Sequence, residues 1–310
     1  MLDKKSIGNQ VQKILRDRTK GTPLEWIPDN IVFLTLSGSH AYGTSTPASD
    51  IDVRGLVIPP LDFKLSYINN FENLVINTPM DITVYDITKA TKLIAENNPN
   101  MIELLYVDPS SIIFETETYC ILRENRDLFL SKKSRHSFAG YANSQLKRMQ
   151  RRMRWICDAP PEVPEKESFV TTKQLTETTT IDSFLQKEYE AAMREYTNYL
   201  QWYNERNDTR KELERKFGYD CKNATHLLRL LNMCVDILEH GTITVLRPDS
   251  EFLRDVRNGK YTYDQVIKMA AALEQKCEAL YSTTTLQKES KRVAINKLLI
   301  SLQKKYWGIF

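Results

Sequence analysis

The chain has 310 residues, 41% of them hydrophobic and 27% charged, with only 10 Gly and 12 Pro. That balance supports a buried core in one large domain or two small ones, and it excludes fibrous and low-complexity architectures. A net charge of +3 is too small to imply a nucleic-acid partner by itself, so local clustering has to carry any such case.

No segment approaches the run of ~20 apolar residues that a membrane helix needs. Lys4, Lys5 and Lys13 are followed by no continuous apolar stretch, which argues against a secretory signal. Cys120, Cys157, Cys221, Cys234 and Cys277 make no close pair, so neither a zinc knuckle nor a disulfide framework is expected. Reduced thiols in a cytoplasm, with no membrane partner, fit this usage. The oligomeric state is left open.

Along the chain, residues 31–36 (Ile-Val-Phe-Leu-Thr-Leu) form a short apolar, β-branched run that reads as a buried strand, ending at Ser37-Gly38-Ser39. Ile51 to Ile58 read as a second strand, closed by Pro59-Pro60. Met80 to Tyr85 read as a third, with Asp81, Thr83 and Tyr85 on its polar face. A helix is predicted from about Ile87 to Glu96, broken by Asn97-Asn98-Pro99-Asn100, with a short helix to about Tyr106.

From about Glu117 the pattern turns helical. Phe138 to Cys157 reads as an amphipathic helix, and residues 158–184 as a long surface loop rich in Thr, Glu, Ser and Pro. Helical spacing resumes at Tyr189, Met193, Tyr196, Leu200 and Tyr203. Ala224, Leu227, Leu228, Leu231, Val235 and Leu238 form the clearest apolar stripe, closed by Gly241. Thr262 and Gln265 read as a capping box, and a last helix runs from after Glu289 nearly to Tyr306. The fold class is therefore α+β, a small mixed sheet on a mostly helical body. The division expected is 1–115 and 116–310, with a loop insertion near 158–184.

The chemistry concentrates in Gly38-Ser39-His40-Ala41-Tyr42-Gly43 and Ser49-Asp50-Ile51-Asp52-Val53-Arg54-Gly55. Period two puts Asp50 and Asp52 on one strand face, where they repel each other unless a cation sits between them. Hard divalent ions take such oxygen ligands, and a pair of ions clamps the attacking and leaving oxygens of an in-line phosphoryl displacement. Gly38 allows backbone to approach a phosphate, and Ser39 opens a short helix whose amides favour anions. Asp-x-Asp alone is common in solvated turns; the order strand, Gly-Ser, Asp-x-Asp strand, further acidic strand is far more specific.

That order resembles the polymerase-beta-type nucleotidyltransferase superfamily. Gly38 to Thr44 with Ser49 to Gly55 resembles most the RNA-repair-pathway nucleotidyltransferases associated with RNA ligases. Asn98-Pro99-Asn100, Glu103-Leu104-Leu105, Tyr219 to Leu231 and Gly241-Thr242-Ile243 fit the same family, so the resemblance spans most of the chain. It implies a nucleotidyltransferase head, two Mg2+ or Mn2+ ions, a nucleoside triphosphate (ATP among them) and an RNA acceptor, tRNA included. It also implies a third metal-binding carboxylate, for which Asp81 is the choice and Asp86 the runner-up. The resemblance makes Asp50 and Asp52 bridging ligands. Two alternatives stay open: transfer of adenylate to a protein side chain, and a catalytically silent RNA-binding protein.

Other candidates are weighed on spacing. Arg54 shares the Asp52 face and suits either a phosphate or an ion pair. His40 lines the cleft or packs, and Tyr42 reads as core. Lys222, His226 and Arg229 fall on one helix face opposite the leucine stripe. Spacing alone favours a solvated face, whereas the resemblance favours binding of the β- and γ-phosphates. Lys147, Arg148, Arg151, Arg152 and Arg154 crowd one helix ending at Trp155. They fit either an RNA backbone with a stackable base or a solvated face paired with Glu162, Glu165 and Glu167.

Overall fold

A computed structural model describes residues 3–309 except 48, 159, 170–182, 205 and 207, with backbone alone at 183, 184 and 209. Most of the expected 158–184 loop thus lies outside the described residues. Helix α1 spans Lys4–Thr19, β1 Ile31–Leu36, α2 Gly38–Tyr42, β2 Asp52–Val57, α3 Leu61–Leu65, β3 Asn73–Ile76 and β4 Asp81–Asp86. Helices α4 (Ile87–Ala95) and α5 (Pro99–Ile102) follow, then β5 (Ile112–Glu115) and α6 (Glu117–Glu124). The rest is helical: α7 Ser134–Cys157, α8 Ser183–Asn204, α9 Asp208–Phe217, α10 Cys221–His240, α11 Ser250–Arg257, α12 Tyr263–Thr283 and α13 Arg292–Tyr306. Among the described residues no helix is long and apolar enough to cross a membrane.

The α+β class is as expected, a mixed five-stranded sheet in the order β3-β4-β2-β1-β5. Strand β1 lies between β2 and the edge strand β5, buried along its whole length and antiparallel to both. Strands β2 and β4 are parallel, joined by a crossover that carries α3 and β3. The parallel register sets Asp52 opposite Asp81 and Arg54 opposite Thr83.

Alternation along the strands feeds two cores. Val53, Val57, Ile82 and Val84 turn to one face, where Ile7, Val11 and Leu15 of α1 cover them. Phe33 and Leu56 turn to the other, where Tyr119 stacks on Phe33 at 3.7 Å between ring centroids. This second core continues through Leu227, Leu228 and Leu231 of α10 to Leu302. Each such leucine, fully buried, is worth about 1.5–3 kcal/mol. Exposed ion pairs such as Arg16–Asp29 contribute at most about 1 kcal/mol. The leucine stripe, not surface charge, therefore holds α10 within the helical body, against α7 and α12.

A buried polar node ties α10 to α2 and to the segment after α5. Arg229 Nη1 donates to Glu103 Oε1 at 2.7 Å, and the Tyr42 hydroxyl donates to Glu103 Oε2 at 2.7 Å. The Arg229 guanidinium lies 3.8 Å over the Tyr42 ring. Glu103 and Arg229 are each 4% exposed and Tyr42 5%, so no water replaces a lost partner. Burial raises the Tyr42 phenol well above its ordinary value, against the pull of Arg229. Removing Glu103 strands a buried guanidinium. Glu103→Ala is expected to cost about 3–5 kcal/mol, seen as a lower midpoint in urea unfolding. A loss below about 1 kcal/mol would show that the node does not tie the body to the sheet.

Candidate active site

The site lies on the sheet face turned to the core of the helical body. Asp52 opens β2 and points the same way as Leu56, toward the helical body. Asp81 opens β4 directly beside it. Strand β2 begins at Asp52, so Asp50 stands in the preceding loop rather than on the pleat. Its nearness to Asp52 comes from the loop, a correction to the period-two expectation. Asp50 and Asp81 are exposed and Asp52 half-buried.

The carboxyl of Asp52 is held above the ordinary carboxylate value, first by burial and then by the charge of Asp81. Lys222 and Arg54 pull it down, and Asp50 adds a smaller push upward. Among the described residues nothing donates a hydrogen bond to the side-chain carboxylates of Asp50, Asp52 or Asp81. Nor do three His, Cys, Asp or Glu side chains converge there into a closed ligand set. The donor chemistry nevertheless fits divalent ions: three unpartnered carboxylates, all hard oxygen, whose mutual repulsion a cation relieves. Asp86 is excluded from this group. It is buried and bonded to Lys64 Nζ at 2.6 Å.

Gly38 is shaped for Asp52. Its φ is +59°, and a Cβ there would lie 2.1 Å from Asp52 Oδ2. The Ser37 amide donates to the Asp52 carbonyl at 2.8 Å, locking the two segments together. Gly38 and Ser39 are the first residues of α2, so their amides have no acceptor inside that short helix. Next to them, His40 Nε2 is buried without a partner among the described residues. Arg54 donates to the Asn100 carbonyl at 2.6 Å. It both offsets the Asp52 charge and fastens the Asn98-Pro99-Asn100 turn.

The helical body supplies the opposite sign. Asp220 caps α10, accepting from the Asn223 amide at 3.1 Å, Arg152 Nη1 at 2.7 Å and Arg210 Nη2 at 2.5 Å. Burial alone would raise its carboxyl; Arg210, the Asn223 amide and Arg152 hold it below the usual range. Behind this cap, Lys222 in the first turn of α10 lies near enough for its charge to draw the Asp52 carboxyl down. His226 follows one turn later. Burial, then Arg229 and Lys222, push its pKa down to about 3. It is therefore a neutral imidazole, a hydrogen-bonding group and not a cation.

Two expectations need correcting. Arg229 is committed to Glu103 inside the core, so it neither faces solvent nor is free to meet a phosphate. Arg152 turns inward to Asp220, away from the exposed Lys147, Arg148, Arg151 and Arg154. Of those four, Arg151 lies 5.4 Å from the centroid of the Trp155 ring, and Arg154 reaches Glu195 at 3.5 Å. Sequence reading missed Arg257, at the end of α11, whose charge is felt at Lys222 and His226 and which senses Asp50. A lone arginine in a last helical turn carries no signal beyond ordinary favourable placement in the helix dipole.

A Gly-Ser turn seated on the first carboxylate of a strand, with a second carboxylate in register beside it, defines a polymerase-beta-like nucleotidyltransferase. Within that class, the chain belongs to the RNA repair pathway DNA polymerase beta family, whose pattern matches residues 4–301. An uncharacterized 38.9 kDa protein from the nrdC-mobD intergenic region of Enterobacteria phage T4 is 27% identical over 119 residues. That match covers 35% of this chain and 35% of the phage protein, so the chain spans about a third of that relative's length. A nucleotidyltransferase-like protein from Exiguobacterium sibiricum 255-15 is 13% identical, covering 96% of this chain and 79% of its own, with a TM-score of 0.23. A likeness that loose carries no weight.

Two outcomes follow from this geometry. Gly38→Ala places a methyl group on Asp52 Oδ2 in a left-handed conformation costing about 1–2 kcal/mol; activity should vanish while circular dichroism still reports a folded chain. Asp52 is held above its unfolded value, so its protonation favours the fold. That contribution is complete below the unfolded value and is lost as pH rises through the folded one. Asp52→Asn should therefore melt higher than the wild type at neutral pH without divalent ions. The gap should close toward about pH 4, and thermal melts at both pH values check it.

Proposed function

We propose that the chain transfers a nucleoside monophosphate from a nucleoside triphosphate to an RNA end, tRNA among the candidates, with release of pyrophosphate. The observation that carries this reading is Asp52 in register with Asp81 across the parallel strand pair, with Gly38 packed against it. Asp50, Asp52 and Asp81 would hold two Mg2+ or Mn2+ ions. Bound there, such ions supply charge neutralisation for the triphosphate and lower the pKa of an attacking hydroxyl.

The chain's own groups do the rest. The first-turn amides at Gly38 and Ser39 orient phosphate oxygens. Lys222 offsets negative charge opposite Asp52. The acceptor hydroxyl oxygen attacks the α-phosphorus and the bond to the bridging β-oxygen breaks. Pyrophosphate leaves, and Asp81 is placed to accept the hydroxyl proton. RNA rather than protein as acceptor is supported by the exposed basic face of Lys147, Arg148, Arg151 and Arg154, with Trp155 beside Arg151.

Incubation of total RNA with each of the four labelled ribonucleoside triphosphates and Mg2+ or Mn2+ tests the reading. Label should enter RNA, and Asp52→Asn or Asp81→Asn should reduce it at least about a hundredfold. Lys147→Ala with Arg151→Ala should weaken RNA binding across sequences and lower the salt slope by about 1 per residue removed. Undiminished transfer by Asp52→Asn would sink the mechanism. Label in added protein instead of RNA would make the acceptor a protein side chain.

A further inference from the structure

Helix α11 is fastened to the Gly-Ser segment. Arg254 Nη1 donates to the Gly43 carbonyl at 2.6 Å, and the Arg247 amide donates to the Tyr42 carbonyl at 3.2 Å. Gly43 is left-handed, with φ +72°, and a Cβ there would crowd Leu246 Cδ1 at 3.0 Å. Arg257 lies three residues beyond Arg254, so it shares that helix face one turn further along. It is half-buried; burial and then the charge of Arg210 hold its guanidinium below the ordinary value, against the pull of Asp50.

The neighbouring arginines are all occupied. Arg54 is bonded to Asn100, Arg152 to Asp220, Arg210 to Glu214 and Asp220, Arg229 to Glu103 and Arg254 to Gly43. Arg257 and Lys222, by contrast, have no hydrogen bond or ion pair among the described residues. Lys222 is exposed and Arg257 half-buried, and their like charges repel unless an anion lies between them. The carboxylates take the α-phosphate end of a triphosphate; its remaining phosphates need donors a short way off, on the body side. A guanidinium forks onto phosphate oxygens in a way that a neutral imidazole does not.

We propose that Arg257, with Lys222, binds the β- and γ-phosphates of the nucleoside triphosphate and then the departing pyrophosphate. This rests on the nucleotidyl-transfer reading above, and it gives Arg257 the role that the family resemblance gave Arg229.

The test is calorimetric binding of magnesium pyrophosphate to the full chain, with KM for the nucleoside triphosphate measured in parallel. The wild type should bind. Arg257→Ala should weaken binding by about tenfold to a hundredfold, with KM rising in step and the melting temperature held. Arg257→Gln, which keeps length and polarity without charge, should show the same loss and serves if the alanine variant folds poorly; Arg257→Lys should recover part of the affinity. Equal affinity in wild type and Arg257→Gln, or no binding by the wild type, overturns the proposal. Transfer that dies in Asp52→Asn but is untouched by Arg257→Gln would remove Arg257 and leave the transferase standing. Pyrophosphate binding that depends on Arg257 without any transfer would do the reverse.

Discussion

The Glu103–Arg229–Tyr42 node is the constraint on which the site depends. It joins three parts distant in sequence: the helix after the Gly-Ser turn, the one-turn helix after Asn98-Pro99-Asn100, and the long helix of the body. A buried carboxylate and guanidinium are costly to desolvate, so the pair adds little net stability over an apolar substitute. What it adds is position. A leucine stripe slides along an apolar surface at small cost, whereas a bonded ion pair does not slide. The stripe packs α10 into the body, and the node sets its place so that the charge of Lys222, in its capped first turn, is felt at Asp52.

Charge is segregated across the resulting cleft. The sheet contributes carboxylates that repel one another, and the body contributes cations whose usual partners are taken. Both halves are less comfortable alone than they would be with a polyphosphate and its counter-ions between them. Asp220 makes this possible on the body side. It satisfies the first turn of α10 and absorbs Arg152 and Arg210, and so leaves Lys222 without an ion pair among the described residues. The stability sacrificed in such a cleft is what a ligand of the right charge returns on binding.

Much of this was legible in sequence because it is local. The apolar run of β1, the alternation of β4, the α10 stripe and the Thr262–Gln265 capping box all depend on periods of two or 3.6, and all were found. Strands β3 and β5 were missed because each has four residues and a half-exposed face, too short for a period to register. The fate of Arg229 and Arg152 was not legible. Helical spacing says which residues share a face but not what lies against it, and in both cases a buried carboxylate from far along the chain does. Asp50 was read onto a strand that starts two residues later. Arg257 had no local signature, since its meaning comes only from where α11 docks.

The parallel pairing of β2 with β4 has a consequence for variation. The two carboxylates meet because the strands start in register, not because of anything in the crossover between them. That crossover carries Tyr67 and Ile68 on the outside, 98% and 75% exposed. Residues can be gained or lost there without moving Asp81, provided the β3–β4 hairpin keeps its pairing. A single insertion inside β4 would instead turn Asp81 to the α1 side and erase the site. The molecule thus separates a segment free to diversify from a strand start that tolerates no shift.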